Sequence, residues 1–153
     1  MDFNFRLFEP KDIDNISRFL LPRKLNYRGY DVWLQKALEE LRWGVKESVL
    51  GFSDNTLVAS LMFQSCKHLE GFTEVKNGRT IKELERRFFL SFMMRQVEAL
   101  SKEEGRYGVI CDARSDRIEI VNFLKINGYK EIARVDLYKE GYEDVVMAKA
   151  LIN

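Results

Sequence analysis

Two groups of polar residues in this chain have types and spacing that could do chemistry. Cys66, His68 and Glu70 are alternate residues, so on a β-strand a thiol, the single imidazole and a carboxylate would share one face. Such a group could bind a metal ion or activate the thiol as a nucleophile. A metal site needs more ligands than these three residues, so we expect no metal here. A thiol nucleophile would also need an oxyanion site, which this group does not provide. We interpret His68 as a histidine at the end of a hairpin.

Arginines form the second group. Arg79, Arg86 and Arg87 carry planar guanidinium donors, which suit phosphate oxygens. Arg86 and Arg87 also lie beside Glu83 and Glu85 in a segment of helical periodicity. A solvated helix face with local ion pairs therefore explains them equally well, and both interpretations stay open.

The elements that must position these groups follow from the spacing of apolar residues, which differs between strands and helices. The predicted strands cover residues 3–7, 48–52, 56–63, 71–76, 107–111, 129–138 and 142–151. The predicted helices cover residues 13–20, 30–41, 81–103 and 116–127. Asp116 is expected to cap the last helix, and Glu140-Gly141 to form the last turn. This order predicts one α/β (α+β) domain over residues 1–153, with a mixed sheet flanked by helices.

Composition excludes several classes of protein. The 25 basic and 24 acidic residues give a net charge of +1, without the basic excess that nucleic-acid binding usually requires. Two cysteines are too few for a disulfide framework. The first residues lack the pattern of a signal peptide, and no apolar run approaches the roughly 20 residues of a membrane span. We therefore expect a cytoplasmic protein that contacts neither nucleic acid nor membrane.

An apolar stripe lies in the longest predicted helix. It comprises Phe88, Phe89, Phe92, Met93 and Met94. Such a stripe is most often core, but it could line an acyl channel, or form the surface of a homodimer if it remains exposed.

The element order resembles that of the Gcn5-related N-acetyltransferases (GNAT), and the resemblance covers nearly the whole chain. The sharpest local match is a strand ending in Cys-Asp-Ala-Arg-Ser-Asp (residues 111–116), then an amphipathic helix, then Gly128-Tyr129. Many family members carry Leu-Gly-Phe at the end of this segment. The distance from Glu74-Val75 to Gly105 also fits the family. The resemblance implies a mostly antiparallel central sheet, and transfer of an acetyl group from acetyl-CoA to an amine.

The family's cofactor loop has the pattern R/Q-x-x-G-x-G/A, in which glycines let backbone N–H groups approach a pyrophosphate. By length, the loop falls at residues 85–91, which contain Arg86, Arg87 and Ser91 but no glycine. A second placement at residues 77–81 offers Gly78 and Arg79. The resemblance thus implies Arg79, Arg86, Arg87 and Ser91 as cofactor-binding residues, in a loop that departs from the pattern.

The resemblance also suggests catalytic residues. Glu74 lies near the start of the predicted fourth strand, where some members place a carboxylate base. Leu124 occupies the position of a tyrosine that often serves as general acid. Tyr138 or Tyr142, which flank the last turn, could supply that proton instead, or could simply fill strand positions; we take Tyr138 as the candidate. The missing glycines and Leu124 also suit an alternative, a non-catalytic binding or regulatory domain. An unrelated α+β fold with the same element order is a third interpretation.

Overall fold

The computed structural model of the protein describes residues 2–24, 27–85 and 88–151. Its strands are β1 (Phe3–Leu7), β2 (Glu47–Ser53), β3 (Thr56–Ser65), β4 (Phe72–Thr80), β5 (Gly108–Arg114), β6 (Lys130–Val135) and β7 (Asp144–Ala150). Its helices are α1 (Ile13–Leu20), α2 (Tyr30–Arg42), α3 (Phe89–Glu103) and α4 (Ile118–Ile126). Within the described ranges the strands form a seven-stranded sheet of order β1-β2-β3-β4-β5-β7-β6. β4 and β5 are parallel, whereas β1, β2 and β3 pair antiparallel, as do β5, β7 and β6. The predicted fold class, a mixed and mostly antiparallel sheet with flanking helices, is confirmed.

The chain divides into two compact units. The first comprises Met1–Gln64 and Lys76–Val97, and its core is formed by apolar residues of α1, α2, β2 and β3. Arg6 ties β1 to the start of α1, because its guanidinium donates two hydrogen bonds of 2.7 Å to the Asp12 carboxylate. These bonds hold the pKa of Asp12 below its usual value, since they stabilise the charged form.

The second unit comprises Ser65–Val75 and Glu98–Asn153. Buried polar contacts attach the C-terminal half of α3 to the strands of this unit. The Glu98 carboxylate accepts hydrogen bonds from the Tyr129 hydroxyl and from Lys149 Nζ, each at 2.8 Å. Thr73 and Ser101 share a buried hydroxyl pair at 2.6 Å. Buried polar groups cost free energy unless they are paired, so these contacts fix the position of the C-terminal half of α3 on the strands of this unit.

Several predicted boundaries are wrong, including the start of α3, the cap of α4 and the last turn. The helix predicted to start at Ile81 begins at Phe89, because the Ile81 N–H bonds to the Val58 carbonyl and keeps the chain extended there. Asp116 does not cap α4, since its carboxylate binds the Arg114 guanidinium at 2.7 and 3.1 Å. The last turn occupies residues 136–143 rather than Glu140-Gly141 alone, because β6 already ends at Val135.

Candidate functional site

The second unit contains a short parallel ladder between β4 and β5. Its three residue pairs end at Glu74 and Ile110, and β5 then continues to Arg114 against β7. Gly108 lies at the start of this ladder, where a Cβ would stand 2.5 Å from the Phe72 ring and 2.6 Å from the Lys149 carbonyl. Only glycine permits this close approach of β5 to its neighbours.

Polar side chains of β4 and β5 lie on one face of the sheet at the end of this ladder. Glu74 pairs with Ile110, and Asp112 is two residues further along the same strand, so Glu74 and Asp112 project from the same face. Both side chains are half-buried. The Tyr138 hydroxyl, from the turn between β6 and β7, donates a hydrogen bond to Asp112 Oδ2 at 3.0 Å. The face thus carries two carboxylates that can accept protons and a phenol that can donate one.

Asp144 is a buried carboxylate at the start of β7, beside the end of β5. It lies on β7 opposite Arg114. Burial raises the pKa of the Asp144 carboxyl, the nearby Asp112 carboxylate raises it further, and a bond from the Leu137 N–H acts in the opposite direction. Arg114 binds Asp116 and stacks 4.0 Å above the Tyr142 ring, which places positive charge beside these carboxylates.

The structure places Glu74 and Tyr138, which the sequence predicts as catalytic, in one unit with Asp112, which sequence reasoning did not single out. Glu74 and Tyr138 both lie in the second unit, and Asp112 stands on the face of Glu74 while binding Tyr138 directly. A polar residue between the buried Cys111 and Ala113 was the signal that could have singled out Asp112. Leu124 is buried in α4, so no phenol occupies that position.

Arg79 contacts the protein's own backbone. Its Nε donates to the Arg23 carbonyl and its Nη1 to the Gly78 carbonyl, each at 2.9 Å. Residues 77–80 belong to β4 rather than to a loop before a helix, so cofactor binding by Arg79 stays a prediction without support from this geometry. Asn77 has a φ of 57°, and the Ile81 N–H bonds to the Val58 carbonyl of β3, so no α-helix begins at this segment.

The first placement falls at the start of α3, in the first unit. Ser91 lies in the first turn of this helix and is buried, whereas the predicted residues Arg86 and Arg87 lie outside the described residues. The Phe92 N–H bonds to the Phe88 carbonyl, so the N–H groups of the three preceding residues have no acceptor within the helix. Phe88 has a φ of 63°, the left-handed conformation that glycine adopts at least cost.

The group formed by Cys66, His68 and Glu70 does not share a strand face. β3 ends at Ser65, and residues 66–71 form bends and turns, so the predicted alternation is wrong. Among the described residues there is no group of three or more metal-ligating side chains. In the same part of the chain, no helix has both the length and the apolar character needed to cross a membrane.

Comparison with known proteins gives a fold. No family model matches the sequence, and no curated protein matches it. The structure matches that of a protein of the GNAT family of acetyltransferases from Desulfovibrio desulfuricans with a TM-score of 0.84. The two chains are 12% identical, and the match covers 99% of this chain and 100% of the other. The ribosomal-protein-S18-alanine N-acetyltransferase of Escherichia coli matches at 0.81 and 11% identity, over 99% and 96%. Ard1 from Thermoplasma volcanium matches at 0.78 and 17% identity, over 100% of both chains. The chain therefore has the fold of the Gcn5-related N-acetyltransferases.

Proposed function

We propose that this protein is an N-acetyltransferase that moves an acetyl group from acetyl-CoA to an amine. The observation that carries the proposal is the β4–β5 ladder that ends at Glu74 and Ile110, with Asp112 and Tyr138 beside its end. This arrangement occurs in a fold that the chain shares, over almost its whole length, with acetyltransferases. Fold alone does not establish chemistry, so the proposal of acetyl transfer depends on the side chains at the end of the ladder.

The start of α3 offers groups that suit the phosphates of CoA. Backbone N–H groups without a helical acceptor, together with the positive end of the helix dipole, bind anions. Phe88 holds the backbone in the conformation of a loop glycine. The backbone donors therefore fit a phosphate, although the segment contains phenylalanines and no glycine. We assign phosphate binding to this helix start, with Arg86, Arg87 and Ser91 as its side chains.

The side chains of the second unit can carry the proton transfers of the reaction. The thioester supplies an activated acetyl group, and the C–S bond breaks as the new C–N bond forms. Glu74, directly or through a water molecule, accepts the proton that the ammonium must lose before its nitrogen can attack. In the resting enzyme Asp112 holds the phenol in place through the 3.0 Å bond. Tyr138 donates that same hydroxyl proton to the leaving thiolate once its O–H turns from Asp112 to the sulfur.

A second candidate function rests on Phe88 and Phe89. These residues lie in the segment that carries glycines in the family pattern, and Phe88 is 81% exposed. Bulky side chains at this helix start would narrow the approach of a pyrophosphate. A binding or regulatory domain that has lost catalysis would show this replacement.

Calorimetric titration with acetyl-CoA tests the proposal. We expect binding in the micromolar range, weakened by Arg86→Ala and Arg87→Ala. Arg42→Ala is the matched control, because Arg42 is an exposed arginine paired with Glu39 on α2 and should leave binding unchanged. Absence of binding at millimolar acetyl-CoA would contradict the proposal.

Turnover is then tested with a panel of primary amines, amino acids and peptides, by following release of the CoA thiol. We expect at least one amine to accelerate thiol release above the rate of hydrolysis. Binding of acetyl-CoA without turnover on any amine would favour the non-catalytic domain.

A further inference from the structure

Strand β1 has an unshared edge. It lies at the end of the sheet, and among the described residues it pairs with β2 alone. The Phe8 N–H bonds to the Ser48 carbonyl and the Asp54 N–H bonds to the Asp2 carbonyl, each at 2.8 Å. In an antiparallel ladder, bonded and non-bonded pairs alternate. The backbone groups that point away from β2 are therefore those of Phe3, Phe5 and Leu7.

This edge lacks the features that usually protect an edge strand. The register of β1 against β2 runs without a bulge, and the strand contains no proline or lysine. Its one charged residue, Arg6, is bound to Asp12. The edge strand β6 is different, since it has a bulge between Glu131 and Ala133 and an ion pair between Glu131 and Arg134. β1 thus presents a regular row of donors and acceptors that another strand can match.

Apolar side chains stand beside the same edge. Phe3 and Phe5 pack against Phe89 of α3, with ring centroids 4.8 and 5.6 Å apart, and Phe5 lies 4.8 Å from Phe92. The apolar side chains at this edge are only partly covered, since Phe3 is 41%, Leu7 40% and Phe92 50% exposed. A strand added to β1 would bury apolar surface as well as pair the backbone.

We propose that the edge of β1 pairs with β1 of a second copy of this chain, antiparallel and about a two-fold axis at Phe5. This register sets Phe5 against the partner's Phe5, and Phe3 against the partner's Leu7. Both pairs use residues whose backbone groups point outward, so each can form the reciprocal hydrogen bonds of an antiparallel pair. The Leu7 carbonyl already accepts a bond from Arg6, and a carbonyl oxygen can accept a second.

Side chains and charges are compatible with the same register. On one face, phenylalanine and leucine meet phenylalanine and leucine. On the other face, Asn4 stands opposite the partner's Arg6, whose charge is neutralised within its own chain by Asp12. No like charges oppose each other in this pairing. A second copy satisfies these conditions by symmetry, whereas a strand of another protein would have to match each of them separately.

Sedimentation equilibrium of the full chain tests the pairing. Wild-type protein is expected at twice the 18.1 kDa chain mass. In the double variant Phe3→Lys with Leu7→Lys, lysines oppose each other at two places across the axis, and we expect the mass of a single chain. In Phe3→Lys with Leu7→Glu, each lysine meets a glutamate instead, and we expect the dimer to return.

The two double variants separate pairing from folding, because both carry the same Phe3→Lys change, and circular dichroism verifies that each is folded. Ile126→Lys is the control, since Ile126 is 84% exposed on α4 and should leave the dimer intact. Three results would overturn the proposal: a wild-type protein that is monomeric at all concentrations, a dimer that persists with two lysines, or a dimer lost only in Ile126→Lys. A monomeric wild type would leave the edge to a strand of another protein. Activity in acetyl transfer is not part of this readout.

Discussion

Arg79 donates its Nε hydrogen to the backbone carbonyl of Arg23 at 2.9 Å, so a side chain of β4 holds the chain just after α1. The guanidinium also lies 5.6 Å from the Tyr27 ring centroid and 5.9 Å from that of Tyr30. Replacing Arg79 by alanine removes this charged donor and leaves the Arg23 carbonyl without that hydrogen bond. We expect Arg79→Ala to lower the free energy of unfolding by about 1–3 kcal/mol in urea titrations.

The control for this stability effect is Arg42→Ala. Arg42 forms an exposed pair with Glu39 at 3.5 Å, and such pairs contribute little, so we expect a change within about 0.5 kcal/mol. Acetyl-CoA affinity should be the same in Arg79→Ala and wild type. A loss of affinity in Arg79→Ala at unchanged stability would instead return Arg79 to the cofactor site.

Phe88 precedes α3 with a φ of 63°, which costs a non-glycine residue roughly 1–2 kcal/mol. Its ring is 81% exposed, so removing it sacrifices little buried surface. We expect Phe88→Gly to raise the urea midpoint of unfolding and to tighten acetyl-CoA binding in calorimetry, since a glycine lets a phosphate approach the helix start.

The matched control is Phe92→Gly, inside α3. It places glycine in a helix interior and removes a ring that packs on Phe5, so we expect a lower midpoint. If Phe88→Gly destabilised the protein as much as Phe92→Gly does, the left-handed conformation would not be the source of strain.

The sequence predicts the order of elements because apolar spacing is local, but it does not predict contacts that cross the chain. Ile81 and Leu84 continue the helical spacing of α3, yet the Ile81 N–H bonds to Val58, more than twenty residues earlier. This tertiary bond overrides the local pattern. Asp116 has the spacing of a cap, but the Arg114 guanidinium binds its carboxylate instead, since a charge-assisted pair competes with a backbone N–H.

The candidate site was predictable only in part. Glu74 and Tyr138 follow from a family resemblance, whereas Asp112 emerges only when β5 is paired with β7 and the following turn is placed. The bond between Tyr138 and Asp112 joins residues 26 positions apart, which no local spacing indicates. Proposed cofactor residues Arg86 and Arg87 remain predictions.

Asp144 and Asp12 should show opposite dependences of stability on pH. Burial raises the pKa of Asp144, so the folded state favours its protonated form and loses stability as the pH rises through that pKa. Asn keeps the shape without the charge. We therefore expect Asp144→Asn to raise the free energy of unfolding at pH 7, with the difference fading below the ordinary aspartate value of about 3.9.

For Asp12 the sign is reversed. Hydrogen bonds from Arg6 lower its pKa, so its stabilisation is present above the unfolded value and is lost as the pH falls through the folded one. We expect Asp12→Asn to lower the free energy of unfolding at pH 7 and to have less effect in acid. Urea titrations at neutral and acidic pH check both variants, and the same sign for the two would contradict this account.

Glu74 and Tyr138 should act on turnover rather than on binding, if the proposed reaction is right. Loss of a positioned base or acid typically costs about 10²–10⁴-fold in rate, so we expect Glu74→Gln and Tyr138→Phe each to lower kcat within that range while acetyl-CoA affinity stays near wild type. Tyr142→Phe is the control, because its ring stacks on Arg114 and phenylalanine keeps that contact. Steady-state release of the CoA thiol measures kcat, and calorimetry measures affinity. Equal activity in Tyr138→Phe and Tyr142→Phe would remove Tyr138 from the mechanism, and full activity in Glu74→Gln would leave Asp112 as the carboxylate to replace next.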